Sequence, residues 1–198
     1  MIDSDTALVN RFDTNFDLLS DSQGCVFHCS EGPMSKRRGK TSKAIWAHLK
    51  NKVYFDIPVP DTYCLMNSGV LGFPNQGIQK FLQNALNIND QLLDEKMPGF
   101  THEQIAFNIA AIGEYKELLT CESDLLHYWG NKEGWLDAIK DFFLKCSFEK
   151  LDPIKTFDAA FPKMLEKLPI IKQKKTAARR IHKVADKISL KREIFFGK

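Results

Sequence analysis

The chain has no run of apolar residues approaching the roughly 20 needed to span a bilayer. Its N-terminus carries no basic stretch followed by an apolar one, so no secretory signal is visible. Cysteine is sparse: Cys25, Cys29, Cys64, Cys121 and Cys146 are odd in number and widely scattered, which suits a reducing compartment and argues against a disulfide scaffold. Cys25 and Cys29 flank His28, but their apolar surroundings read as buried thiols rather than a metal site. There is no internal repeat. What remains is 198 residues with 43% apolar content, enough for one ordinary globular domain with a substantial core. The expected location is the cytoplasm.

A net charge of +3 conceals an asymmetry. Between Lys172 and Arg192 there are nine Lys or Arg residues and one acidic residue, Asp186, while the rest of the chain is mildly acidic. Such blocks contact phosphates. Ile181, Val184, Ala185 and Ile188 recur there at helical spacing, and Phe195 and Phe196 follow. A basic amphipathic helix of this kind lies on an anionic membrane surface, or else docks its apolar stripe on the body. Nucleic acid is not the expected partner, because no aromatic residues interleave the basic ones.

Along the chain, residues 1–6 read as a strand end and Phe12 to Leu19 as a short helical or turn segment. Gly24 to Cys29 has the composition of a buried strand. Ser30 to Lys43, with two glycines, a proline and five Lys or Arg residues, reads as a loop; its Lys36-Arg37-Arg38 run is a solvated face or an anion contact. Ala44 to Lys50 suits a short helix, and Pro58 and Pro60 an extended connector over Ile57 to Asp61. Extended segments are expected at Tyr63 to Met66, Val70 to Phe73 and Leu118 to His127. Helices are expected over Gln76 to Leu93, where Ile78, Phe81, Leu82, Ala85 and Leu86 recur at helical spacing, over Thr101 to Ile112, and over Trp135 to Leu144, where Trp135, Ile139, Phe142 and Phe143 fall on one side. Strands alternating with helices predict an α/β sheet protein, 1–150, followed from about Leu151 by a helical tail, 151–198.

Four short groups could carry chemistry. Asp3 and Asp5, two carboxylates at i and i+2, share one face of an extended segment and converge on a divalent cation if a turn allows; the same triplet is common in solvated turns. Asn67-Ser68-Gly69 between extended segments has the composition of a plain turn, with an amide that both donates and accepts and a glycine that lets backbone approach closely. Glu103-Gln104 opens a helix, where Thr101 and Gln104 also fit a capping box. His127 ends the apolar run Leu125-Leu126 and precedes Tyr128-Trp129-Gly130-Asn131-Lys132. It reads as a structural histidine or a ligand, and Lys132 as a surface lysine or an anion's partner in a helix's first turn.

Taken in order, this series resembles the metal-dependent nucleotide-sugar glycosyltransferases of the glycosyltransferase-A fold, most closely the retaining family 8 type of bacterial lipopolysaccharide and capsule synthesis. The resemblance implies a glycosyltransferase-A mixed sheet flanked by helices. It implies Mn²⁺ or Mg²⁺ held by Asp3, Asp5 and His127, where the cation would stabilise charge building on a departing diphosphate. A nitrogen ligand shifts preference from Mg²⁺ toward Mn²⁺. It further implies Asn67, Ser68, Gly69, Gly130 and Lys132 as donor-binding residues, and Glu103 and Gln104, where the family has Asp-Gln, beside the reacting sugar carbon. Lys132 comes one place earlier than the family's lysine, and no proline follows it. The implied activity is transfer of a hexose from a nucleotide-sugar, a uridine diphosphate sugar by resemblance, to a saccharide or lipid-linked glycan acceptor. In that family the aspartate pair follows a nucleotide-binding half-domain, and here only Met1 and Ile2 precede it. The expectation is therefore an N-terminally truncated catalytic body, with a non-catalytic relic or a membrane- or partner-binding module as the alternative.

Overall fold

Strands of no more than four residues and helices of ten or more make the described chain a mixed α/β protein. The computed structural model describes residues 1–3, 5–8, 19 and 24–168. The segment expected at Phe12 to Leu19, apart from Leu19 itself, and the basic stretch 172–192 with Phe195 and Phe196 lie outside the described residues. The chain divides into two compact units, Met1–His127 and Tyr128–Lys198. Among the described residues no helix is long and apolar enough to cross a membrane.

In the first unit β1 (Thr6–Leu8) is followed by β2 (Gly24–Phe27), which is wholly buried, as expected of its apolar sequence. The loop expected over Ser30 to Lys43 is largely regular instead. β3 (Ser30–Pro33) leads into a 3-10 turn, and α1 (Lys40–Leu49) begins four residues before Ala44. Buried Met34 anchors the turn, an apolar foothold that the surrounding glycines and cations obscure in sequence. A tight hairpin joins β4 (Val53–Tyr54) to β5 (Ile57–Pro58) through Phe55 and Asp56, both at positive φ, so the expected connector is part of a ladder.

Next come β6 (Cys64–Met66), β7 (Leu71–Gly72), α2 (Ile78–Asp94) and α3 (His102–Glu114), close to expectation. On α2 Phe81, Ala85, Ile88 and Leu92 are buried, whereas Leu82 and Leu86 are exposed. The buried stripe takes this line because α2 packs on α3 along the Phe81–Ala85–Ile88–Leu92 ridge. The single strand expected over Leu118 to His127 is two, β8 (Glu117–Thr120) and β9 (Leu125–His127), separated by a turn. Asp124 and Leu125 both donate backbone N–H bonds to the Cys121 carbonyl, which closes that turn.

β2 lies between antiparallel β7 and parallel β8 in a mixed three-stranded sheet. Separate two-stranded ladders join β3 to β6 and β1 to β9. The main core, including Phe27, Phe81, Ile88, Leu92, Ile105 and Ile109, fills the space between strands and helices. A smaller cluster of Val26, Val70, Cys121 and Leu125 covers the opposite side. One consequence governs the site. β2 gives way to β3 at His28-Cys29, β6 to β7 at Asn67 to Val70, and β8 to β9 at Cys121 to Asp124. These interruptions are stitched to one another by backbone bonds: His28 N–H to the Asn67 carbonyl (3.1 Å), Asn67 N–H to the Cys29 carbonyl (2.8 Å), and Cys121 N–H to the Phe27 carbonyl (3.1 Å). Three neighbouring strands therefore break at one level, and side chains that would otherwise alternate across a sheet are turned into a common space.

The second unit carries a 3-10 turn at Trp129–Asn131, then α4 (Lys132–Glu149) and α5 (Pro153–Lys167). α4 buries Trp135, Ala138, Phe142 and Cys146, while Phe143 is exposed. Leu151, where the sequence suggested a boundary, falls in the connection between these helices. Asp152 caps α5 by accepting from the Ile154 N–H at 3.0 Å, with Pro153 in the first turn.

Candidate metal centre

Asp3 and Asp5 stand just before β1, and His127 closes β9, its antiparallel partner, with Thr6 opposite His127 in the register. The Asp3 N–H donates to the Gly69 carbonyl at 2.8 Å, and Ile2 bridges Val70, so the aspartate segment is tied to the turn after β6. Ligand atoms of Asp3, Asp5 and His127 all lie within 4.8 Å of one another. Asp5 and His127 are buried and Asp3 is exposed, so the group is open on one side. Residues more than a hundred positions apart thus converge as two carboxylates and an imidazole, a donor set that suits a divalent cation such as Mn²⁺ or Mg²⁺.

The hydrogen bonds around His127 fix its chemistry. Asn67 Oδ1 accepts from the Gly69 N–H (2.9 Å), and His127 Nδ1 lies 2.9 Å from the same oxygen. Asn67 Nδ2 donates to Glu31 Oε1 at 3.0 Å. A carboxylate only accepts, so the amide group must face Glu31 and the oxygen must face His127. Nδ1 therefore carries the proton. In the neutral ring the Nε2 lone pair then points at Asp5 Oδ1, 3.2 Å away. Two acceptors at that distance call for a cation between or beside them, either a proton on Nε2 or a metal ion. The cluster therefore has donor atoms that could hold a metal ion, and a proton on Nε2 would equally satisfy the Asp5–His127 contact.

Gly69 closes the pocket. A Cβ there would lie 2.3 Å from His127 Cε1 and Nδ1, so only glycine leaves room for the ring. On the other side His28 meets His127 edge to face, with centroids 5.2 Å apart, and its Nε2–H donates to the Leu125 carbonyl (2.8 Å). Burial lowers the His28 pKa; the Leu125 carbonyl opposes that shift and nearby His127 adds to it. Its Nδ1 has no hydrogen-bond partner among the described residues.

Other expected residues divide. Gln104 joins the cluster: its Nε2 donates to Glu31 Oε1 (3.3 Å) and to the Met66 carbonyl (2.9 Å). The capping box does not form, since Thr101 caps α3 without a side-chain bond and the Gln104 amide is engaged elsewhere. Glu103, one place earlier on the helix, points away into solvent, as the 100° step between neighbours requires. Ser68 is half-buried in the turn beside Asn67. Gly130 and Lys132 belong to the second unit, in its 3-10 turn and at the exposed start of α4.

The sequence gives no role to Glu31 or Asn108, and weighs His28 only with Cys25 and Cys29 and Arg37 only within a run that is a solvated face or an anion contact. Arg37 pairs its guanidinium with Glu31 Oε2. Asn108 Oδ1 accepts from the Met66 N–H (2.6 Å), and its Nδ2 donates to the Met66 carbonyl (3.0 Å), so a wholly buried amide replaces the strand partner β6 lacks at that point. Asn108 lies four places after Gln104 on the same face of α3, a polar i, i+4 pair amid apolar neighbours, and that was the available signal. The thiols behave as expected of buried cysteines: burial pushes Cys25 up to about 12, and Cys29, half-buried, to about 11, where Glu122 and Glu31 add to the effect. Comparison of the chain with protein-family models, with curated proteins and with solved structures returned no match.

Proposed function

We propose that this chain carries the catalytic body of a metal-dependent glycosyltransferase of the glycosyltransferase-A type, which transfers a hexose from a nucleotide-sugar, a uridine diphosphate sugar in the first instance, to a saccharide acceptor with retention of configuration. The observation that carries the reading is the convergence of Asp3, Asp5 and His127, with Asn67, at the break between β6 and β7, bonded to His127 and linked through Glu31 to Gln104 of α3. Two carboxylates and an imidazole would hold Mn²⁺ or Mg²⁺, and a bound divalent ion stabilises negative charge on a leaving diphosphate. In the transfer the bond from the anomeric carbon to the phosphate oxygen breaks, a bond to an acceptor oxygen forms, and the acceptor hydroxyl loses its proton. Amide groups at Asn67 and Gln104 offer the donors and acceptors that sugar hydroxyls require. Glu103 faces solvent, so of the two residues Gln104, whose Oε1 could accept, would be the one to meet the sugar.

The test is a pair of assays on the whole chain. Mn²⁺ titration calorimetry is expected to show micromolar-range binding that Asp5→Ala and His127→Ala abolish. Release of uridine diphosphate from a uridine diphosphate hexose should require the cation and fall with Gln104→Ala. Unchanged Mn²⁺ binding in both ligand variants would refute the centre; binding without any nucleotide-sugar turnover would leave a cation site and remove the transferase.

A further inference from the structure

We propose that Glu31 is a positioning residue of the metal centre: together with the Gly69 N–H it orients the Asn67 carboxamide and, through it, sets which nitrogen of His127 carries the proton. The inference rests on the metal-centre reading for its functional meaning, but its structural half stands without a cation.

A carboxamide has two ends of nearly equal shape and opposite hydrogen-bonding sense, so its orientation is decided by its neighbours. At Asn67 one end meets the Gly69 N–H and His127 Nδ1, and the other meets Glu31 Oε1. Glu31 is itself held from two sides. The Arg37 guanidinium binds Oε2, and Gln104 Nε2 donates to Oε1 while also bonded to the Met66 carbonyl. Neither can present an acceptor to the carboxylate at those atoms. An unbroken set of fixed roles therefore runs from Arg37 through Glu31 and Asn67 to His127, and ends with the Nε2 lone pair facing Asp5 Oδ1 at 3.2 Å. Partners behind a ligating imidazole set its tautomer and basicity, and their loss lowers metal affinity by about 10–100-fold.

The geometry makes an unusual demand at position 31. Glutamine has the same shape, but its oxygen would turn to Arg37 and leave its amide facing those of Asn67 and Gln104, donor against donor. Glu31→Gln should therefore disturb the centre despite being isosteric. Methionine at 31 removes the acceptor without that clash. An aspartate at 67 has no donor end to misplace, yet beside Glu31 it would set two carboxylates about 3 Å apart, where like charges repel. Each single change harms the centre, and Glu31→Met with Asn67→Asp together should repair it.

Two measurements on the full chain decide the matter. Nitrogen–proton correlation of the imidazoles, taken without metal at alkaline pH, should show His127 as the Nδ1–H tautomer in the wild type. Glu31→Gln should give a mixture, and the Glu31→Met/Asn67→Asp pair should restore the single form. Mg²⁺ titration should show affinity falling by roughly tenfold or more in Glu31→Gln and Glu31→Met, and mostly recovered in the double variant. A wild-type tautomer pattern in Glu31→Gln overturns the proposal, because a purely structural Glu31 would leave that signature unmoved. Failure of the wild type to bind either Mn²⁺ or Mg²⁺ would instead remove the metal reading, while the tautomer comparison still judges Glu31.

Discussion

Gly69 shows how much one missing methyl decides. It is not among the glycines at positive φ, so its backbone would accept alanine. The restriction is space: a Cβ would sit 2.3 Å from two ring atoms of His127 and 2.9 Å from Nε2. Contacts that short displace the ring, and with it go the bond to Asn67 and the approach to Asp5. Gly69→Ala should cost about 1–3 kcal/mol of stability, the usual range for overpacking. It should lower divalent-cation affinity by roughly tenfold or more, as loss of a positioned ligand does. Urea unfolding and Mn²⁺ titration read the two effects separately. An alanine variant with wild-type cation affinity would mean that the ring of His127 is not held where the site needs it.

Among the elements, α1, the turn leading into β4 and α2 are clamped by one carboxylate. Glu95, at the C-terminal end of α2, accepts from Lys52, from His48 Nε2 (2.7 Å) and from Gln91 Nε2 (2.9 Å). Partial burial alone would raise its pKa, but the bonds from Lys52, Gln91 and His48 outweigh that and bring it from 4.5 to about 2. A carboxylate depressed on folding stabilises the fold above its unfolded pKa, and that contribution fades as pH falls toward the folded value. Stability should therefore decline between about pH 5 and pH 2 by an amount that Glu95→Gln removes. The variant starts lower at neutral pH, and its urea midpoint then changes less across that window. Parallel acid profiles for variant and wild type would discount the clamp. Nothing in the local sequence announces it, since its members lie in three separate segments. The same limit explains what was and was not legible elsewhere. β2, α2 and α3 announce themselves by composition and period, and Asp3, Asp5, Asn67, Gln104 and His127 by their types. Glu31 and Arg37 sit among glycines and cations that resemble a solvated loop; β3 carries Glu31, and Arg37, just past the 3-10 turn, folds back to pair with it. Leu82 and Leu86 share the helical spacing of the buried residues yet are exposed, because a helix's apolar residues do not say which of two adjacent stripes its partner will cover.

For the molecule as a whole, the centre is a tie between the start and the end of the first unit. Asp5 and His127 are 122 positions apart, and the β1–β9 ladder that brings them together has only three residue pairs. So short a ladder contributes little by itself. A cation bound by both flanks is linked to the integrity of the whole unit, because the unfolded chain offers no assembled site. At a free concentration about a hundredfold above its Kd, a ligand adds roughly 2.7 kcal/mol to folding stability. For a chain of this size that corresponds to a rise in Tm of roughly 5–10 °C. The reporter must belong to the right unit. Trp46, packed against the main core from α1, reads the first, whereas Trp135, wholly buried in α4, reads the second. In a variant retaining only Trp46, Mn²⁺ should raise the melting transition, chelation should reverse the shift, and Asp5→Ala should abolish it. A shift of equal size in Asp5→Ala and His127→Ala would show that the ion stabilises the chain from some other place, and that the convergence of these residues is a polar turn and no more.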